Sequence, residues 1–265
     1  MKRVLFVNSE MTPYLADSER STYCRSLAQG IQEKRVEIRS FMPRYGLINE
    51  RKNQLHEVIR LSGMNLIIGE VDRPLIIKVA SLPSARMQVY FIDNDDYFRR
   101  KALYAAADGT PFKDNGERAV FFARGVLETV KKFRWSPDVV HCSGWISQVL
   151  PLYLKKSYKD DPIFSDSKVV TTIFPDIIPG SLSENFAESI MFQGVSSEDI
   201  APILEAPTGI NLAKVALMHS DAVTFEGDGI PAQVKDFAEG LQIARFTPGG
   251  SADKWEEYKK FYETL

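Results

Sequence analysis

The run VLFVNSEMTPYLADSERSTYCRSLAQGIQEKRVEIRSFMP, residues 4–43, decides the fold. Val4–Val7 is a compact run of β-branched, aliphatic and aromatic residues closed by Asn8, Ser9 and Pro13, which reads as a buried strand and its loop. From Ser21 to Lys34 the period changes. Tyr23, Leu27 and Ile31 recur every four residues with Cys24 beside them, the single apolar stripe of a helix lying on a sheet. Val36, Ile38 and Phe41 follow as a second strand, ended by Pro43. Strand, helix and strand in so short a span make a parallel crossover unit. The predicted class is therefore α/β, with a single Rossmann-like, doubly wound, mostly parallel sheet.

Outward from this unit the pattern is less regular before it recovers. Leu66–Ile68, Leu75–Val79 and Val89–Ile92 are short strand candidates separated by Gly69, Arg73-Pro74 and a Pro83-Ser84 turn, and antiparallel pairing is expected among them. Glu117 to Phe133 carries Phe121, Phe122, Val126, Leu127 and Val130 at helical spacing, with Asp114 or Asn115 as N-cap. Val139–His141, Gln148–Lys156, Lys168–Ile173, Asn211–His219 and Ala222–Phe225 then alternate strand and helix, and a helix is expected within residues 250–265. Residues 176–209 hold Pro179, Gly180, Gly194 and Pro202 among Ser and Glu, which fits either a lid over a cleft or a partly ordered surface excursion. No repeat or flexible linker divides the chain, so residues 1–265 read as one domain.

Composition narrows the function. With 44% apolar and 26% charged residues the chain can bury a full core. Its 33 Lys and Arg against 35 Asp and Glu give no basic field for nucleic acid or an anionic membrane surface. The apolar runs fall short of the roughly 20 residues of a membrane span, and no signal-peptide pattern follows Met1-Lys-Arg, so a cytoplasmic protein is expected. Cys24 and Cys142 lack metal-ligand spacing, and the Asp93–Asp96 and Ser196–Asp199 groups are too irregular for a calcium loop, so neither a metal nor a cofactor is expected.

Several segments carry a family resemblance. Lys2 to Pro13, Met42-Pro-Arg-Tyr-Gly46, Val89 to Asn94 with Tyr97-Phe98, Asp114-Asn115 with Glu117-Arg118, Pro137 to His141 with Trp145, and Asn211 to Lys214 with Ser220 to Val223 resemble, in order, the N-terminal domain of bacterial glycogen and starch synthases. The resemblance implies one half of a two-domain glycosyltransferase B fold, in which a nucleotide sugar lies between two Rossmann-like domains and a growing α-1,4-glucan approaches from the N-terminal one. It also implies that the C-terminal domain, the source of most donor contacts, has no counterpart here. At the cleft it points to Glu10, Tyr97, His141, Trp145 and Asn211, with Tyr104 beside Tyr97 as a further aromatic.

The family's chemistry-bearing motifs are altered. Where its phosphate loop has a lysine, a threonine and two glycines, a gap-free alignment from Pro13 to Pro43 places Ala16, Asp17, Ser18 and Glu19. Glycines would admit a pyrophosphate to backbone N–H groups and the lysine would neutralise it, whereas Asp17 and Glu19 repel it. Asp17, Ser18 and Glu19 suit an N-cap and first helical turn instead. The His-x-His-Asp-Trp pattern reads His141-Cys142-Ser143-Gly144-Trp145, and Thr-Ile-His-Asn reads Thr172-Ile173-Phe174-Pro175. A phenyl ring cannot make the hydrogen bond the family's histidine makes to the transferred sugar, and Pro175 removes a backbone donor. Each retained residue also has a structural reading: His141 as a satisfied core group, Trp145 and Tyr97 as packing anchors, Glu10 and Asn211 as turn or cap residues.

The expectation is a degenerate, non-catalytic binding or regulatory module, its partner an α-glucan, a maltooligosaccharide or another protein. The rival is half of an ADP-glucose-dependent glucosyltransferase completed by a separate nucleotide-binding chain. A cleft closed by the Phe174 or Arg20 side chain would speak against ligand binding there.

Overall fold

The computed structural model describes residues 2–82, 85–249 and 252–265; the expected Pro83-Ser84 turn lies outside them. In chain order the strands are β1 (Arg3–Asn8), β2 (Glu37–Pro43), β3 (His56–Glu57), β4 (Met64–Ile68), β5 (Val71–Leu82), β6 (Met87–Asp93), β7 (Val139–Ser143), β8 (Lys168–Ile173), β9 (Ala222–Phe225) and β10 (Ala244–Phe246). The helices are α1 (Glu19–Glu33), α2 (Asp95–Phe98), α3 (Asn115–Phe133), α4 (Leu150–Lys156), α5 (Phe186–Ser189), α6 (Ala201–Glu205), α7 (Gly209–Met218), α8 (Ala232–Gly240) and α9 (Lys254–Thr264). Short 3₁₀ turns cover Trp145–Ser147 and Glu198–Ile200.

The strands form one sheet in the order β10-β9-β8-β7-β1-β2-β6-β5-β3, with β4 on β5. From β10 through β6 all pairings are parallel, and β3, β4 and β5 pair antiparallel. The mostly parallel α/β architecture read from residues 4–43 is therefore present. Val4 to Val7 are buried because β1 is the central strand, covered on both faces, which is why its sequence is continuously apolar. The chain builds outward from β1 to β2 and β6, then returns to the other side of β1 for β7. The switch point of the sheet lies between β1 and β7, and open α/β sheets place ligands at the carboxyl ends of strands there.

The middle section pairs antiparallel as expected, with one difference. Pro74, expected in a break, lies inside the long strand β5 opposite Asn65, and its carbonyl accepts from Asn94 Nδ2 at 3.0 Å. Residues 176–209 contain three short helical pieces before α7. They are held to the core by Ile178, Leu182, Phe186, Ile190, Ile200 and Ile203, all buried. Helix α9 packs on α1. At Gly30 a Cβ would stand 2.3 Å from the Trp255 ring, so α1 needs a glycine where α9 crosses it. No helix among the described residues is long and apolar enough to cross a membrane.

Candidate functional site

At the switch point the ends of β1 and β7 are tied together by Ser9 N–H donating to the Ser143 carbonyl at 2.8 Å. Gly144 follows with φ +88°, and a Cβ on it would lie 2.0 Å from Ser9 Oγ and 3.1 Å from Arg20 Cδ. Arg20, from the first turn of α1, fills the space above. Its side chain is 5% exposed, its Nη1 lies 3.4 Å from Glu10 Oε1, and its Nη2 pairs with the Asp176 carboxylate and donates to the Asp176 carbonyl at 2.9 Å. The guanidinium sits 5.2 Å over the Phe174 ring, whose edge meets Tyr23 at 5.4 Å. Flat cations favour such ring faces. Arg20 and Phe174 thus close the carboxyl edge of β1, β7 and β8 from within.

Electrostatics at this edge favour no anion. Arg20 is shared between Glu10 and Asp176, and Asp17 and Glu19 stand exposed beside it. Burial raises the pKa of Glu10 above the usual carboxylate range, opposed by the Arg20 charge and raised further by Asp176. A diphosphate within 4 Å of one such carboxylate would meet a repulsion of about 4 kcal/mol per charge pair at an effective dielectric near 20. Residues 16–19 are engaged locally. Ser18 Oγ accepts from Ser21 N–H at 3.0 Å while Ser21 Oγ accepts from Ser18 N–H at 2.9 Å, a reciprocal capping box for α1. Thr12 Oγ1 donates to Asp17 Oδ1 at 2.7 Å, Ser21 Oγ reaches the Ala16 carbonyl, and Glu19 occupies the dipole-favoured first turn.

The remaining site candidates lie in different surroundings. His141 is fully buried on β7, with Nδ1 2.5 Å from the Tyr262 hydroxyl and Nε2 2.6 Å from the Thr172 hydroxyl; burial pushes its pKa down to about 3. It faces α9, not the switch point. Tyr97 is 1% exposed and donates to Glu117 at 2.8 Å, with Arg73 over its ring. Trp145 is 3% exposed, edge-on to Tyr104. Between Tyr97 and Trp145 lies Arg118, whose Nε donates to the Tyr97 carbonyl at 2.9 Å and whose guanidinium is 5.9 Å from the Trp145 ring. Burial lowers the pKa of Arg118 to about 10. These aromatics pack; neither ring offers an open face.

Asn211 is also buried, at 8% exposed, but it borders open space. Its Nδ2 donates to the Ala206 carbonyl at 3.0 Å, and it lines a cavity of about 530 Å³ with Pro175, Ile178, Thr208 and Gln233. Pro175 and Asn211 are thus brought together, Glu10, Ser18, Phe174 and Gly144 gather around Arg20, His141 faces α9, and the Tyr97 and Trp145 side chains pack about Arg118. Among the described residues no three His, Cys, Asp or Glu side chains are arranged to hold a metal. Asp176 was missed as a partner of Arg20 because it lies 156 residues away in a stretch without periodicity, and its side chain stays 66% exposed.

Comparison with known proteins is consistent with this geometry. The family model for the starch synthase catalytic domain matches residues 3–240. Glycogen synthase of Chlorobium limicola is 35% identical over 223 residues, 84% of this chain and 45% of that protein. Glycogen synthase of Chlorobaculum tepidum is 34% identical over 239 residues, 89% of this chain and 48% of that protein. The chain spans a little under half the length of these curated relatives. Among solved structures, the catalytic domain of starch synthase IV from Arabidopsis thaliana, bound to ADP and acarbose, has a TM-score of 0.65 at 17% identity, covering 84% of this chain and 44% of that one. At that identity the likeness speaks to the fold alone.

Proposed function

We propose that this chain, which belongs to the starch synthase catalytic domain family, is a non-catalytic binding module tied to α-glucan metabolism. The observation that carries the reading is the Arg20 side chain seated on Phe174 and shared by Glu10 and Asp176, where a nucleotide sugar would need room and positive charge. The open cavity beside it has the mixture sugars use: the Asn211 side-chain carbonyl, the Gln233 amide, the Thr208 hydroxyl proton, and the apolar faces of Pro175 and Ile178. A glucan end fits there without asking for a phosphate site.

Calorimetry with ADP-glucose and with maltoheptaose tests this. Maltoheptaose binds saturably and the Asn211→Ala variant loses that binding, while ADP-glucose gives no heat and no glucose is transferred to a primer. Saturable micromolar binding of ADP-glucose, or elongation of a maltodextrin by the purified chain, refutes the proposal. A second reading, motivated by the match to the N-terminal half of glycogen synthases, is a transferase half completed by a separate nucleotide-binding chain. That reading gains if ADP-glucose binds only once such a chain is added.

A further inference from the structure

At the opposite end of the sheet lies a second cavity, of about 550 Å³. Gln32 from the end of α1, Glu37 and Arg39 from the start of β2, and Ser81, Arg86, Gln88 and Tyr90 from β5, β6 and the turn joining them line it. Its charge is unbalanced. Glu37 is its one carboxylate, and both oxygens are taken: Oε1 accepts from Trp135 Nε1 at 2.7 Å and Oε2 from Arg3 Nε at 3.2 Å. Arg3 and Glu37 cancel, and among the described residues no ion pair engages Arg39 or Arg86. Arg39 and Arg86 thus line the cavity without an ion-pair partner among the described residues.

Arg39 is held as a flat platform. Its guanidinium lies 4.2 Å over Phe133 and 5.2 Å over Trp135, Nη1 donates to the Tyr90 hydroxyl at 3.3 Å, and Nε is buried without a partner. Arg86 is positioned through its backbone, whose carbonyl accepts from Gln32 Nε2 at 2.9 Å. Arg39 Nη2 is left to the cavity, and with the Arg86 side chain on the same lining it supplies two positive charges for the two negative charges of a phosphate monoester. The Tyr90 hydroxyl donates to Gln88 Oε1 at 3.2 Å, which leaves the Gln88 amide nitrogen, the second Tyr90 lone pair and the Ser81 hydroxyl for a hydroxylated body. A nucleobase finds no free ring: Tyr90 is stacked on Phe41 at 5.3 Å and meets Phe133 edge-on at 4.9 Å, and Arg39 covers Phe133 and Trp135.

We propose that the cavity at the amino end of the sheet binds a sugar phosphate, with Arg39 and Arg86 holding the phosphate and Ser81, Gln88 and Tyr90 holding the sugar hydroxyls. This is independent of the function proposed above, since no residue is shared between the two ends of the sheet.

The test is calorimetry on the full chain with glucose 1-phosphate and fructose 6-phosphate, with Trp135 fluorescence as a second readout. The expected result is saturable binding of at least one of these, at least tenfold tighter than inorganic phosphate or AMP and absent with glucose. Arg86→Gln, at an exposed position where folding is not at stake, weakens it at least tenfold, as does Arg39→Lys, which keeps the charge and loses the fork. No saturation by about 10 mM, a value that already corresponds to very weak association, overturns the proposal. So does binding unchanged in both variants, or AMP or inorganic phosphate binding as tightly as the sugar phosphates.

Discussion

Gly144→Ala measures how tightly the switch point is closed. A Cβ there would stand 2.0 Å from Ser9 Oγ and 2.7 Å from Ser9 Cβ. The hydroxyl can rotate away, but the Ser9 Cβ is fixed by a strand end that is itself bonded to Ser143, so one of the two strand ends must shift. Overpacking of this kind costs about 1–3 kcal/mol. The backbone adds roughly 1 kcal/mol, because φ at +88° disfavours any residue with a Cβ. The expected loss is therefore about 2–4 kcal/mol, a fall in Tm of about 5–15 °C for a chain of this size. Urea denaturation followed by circular dichroism supplies the number. The double variant Ser9→Gly, Gly144→Ala separates the two parts, since it removes the clash and leaves the backbone cost, and a coupling of at least about 1 kcal/mol is expected. A Gly144→Ala protein within about 0.5 kcal/mol of wild type, or strict additivity in the double variant, would show that the site is looser than described. The same geometry forbids the family's aspartate: Gly144→Asp is expected to be at least as costly as alanine and to restore no transfer activity.

Other outcomes follow from the same contacts. His141, with a folded pKa near 3 against an unfolded value near 6.5, binds its proton more readily in the unfolded chain, so its contribution to stability falls as the pH drops from about 6.5 towards 3. The drop is about 1.4 kcal/mol per pH unit, and comparing denaturation at pH 7 and pH 5 in wild type and His141→Gln should show about 2 kcal/mol less pH dependence in the variant. Trp145→Ala is expected to destabilise by about 3–5 kcal/mol, and maltoheptaose should leave wild-type Trp145 emission unchanged because the ring is buried. Arg20→Ala leaves Glu10 buried without its cation and should cost about 3 kcal/mol at neutral pH, with less of the loss at pH 4, where a carboxyl of raised pKa is protonated. Gly30→Ala, normally favourable by about 1 kcal/mol in a helix, is expected to destabilise instead and to raise hydrogen exchange across α9, because of the Trp255 ring.

The parts of the fold that could be read from the sequence are those whose pattern is local. The run Val4–Val7 and the stripe Tyr23, Leu27, Ile31 each sit on one element, and β1, α1 and β2 formed accordingly. Helix α1 begins at Glu19, two residues earlier than its periodicity showed, because the Ser18 and Ser21 box caps it. Asp114 does stand at the N-cap of α3, yet its carboxylate pairs with Arg100 and caps nothing. Helix α8 escaped notice although Val234, Phe237, Ala238 and Leu241 have helical spacing, since the element is short and lies among glycines and prolines. At the site, losses were more legible than replacements. Ala16, Ser143, Gly144 and Phe174 could be read as departures, and the side chains Arg20 and Phe174 do meet over the strand ends. The burial of Tyr97 and Trp145 depends on Arg118 and Glu117 of α3, a contact no periodicity reports.

The Trp255 crossing has a further consequence for where the structural unit stops. The match to the family model ends at residue 240, yet Tyr258 and Tyr262 of α9 are buried, joining Tyr23 at 2.7 Å and His141 at 2.5 Å. A fragment cut at that boundary would leave the His141 imidazole of β7 and the Tyr23 phenol of α1 facing water through an unroofed slot. Expression boundaries for this protein should therefore follow its tyrosines and not its ancestry.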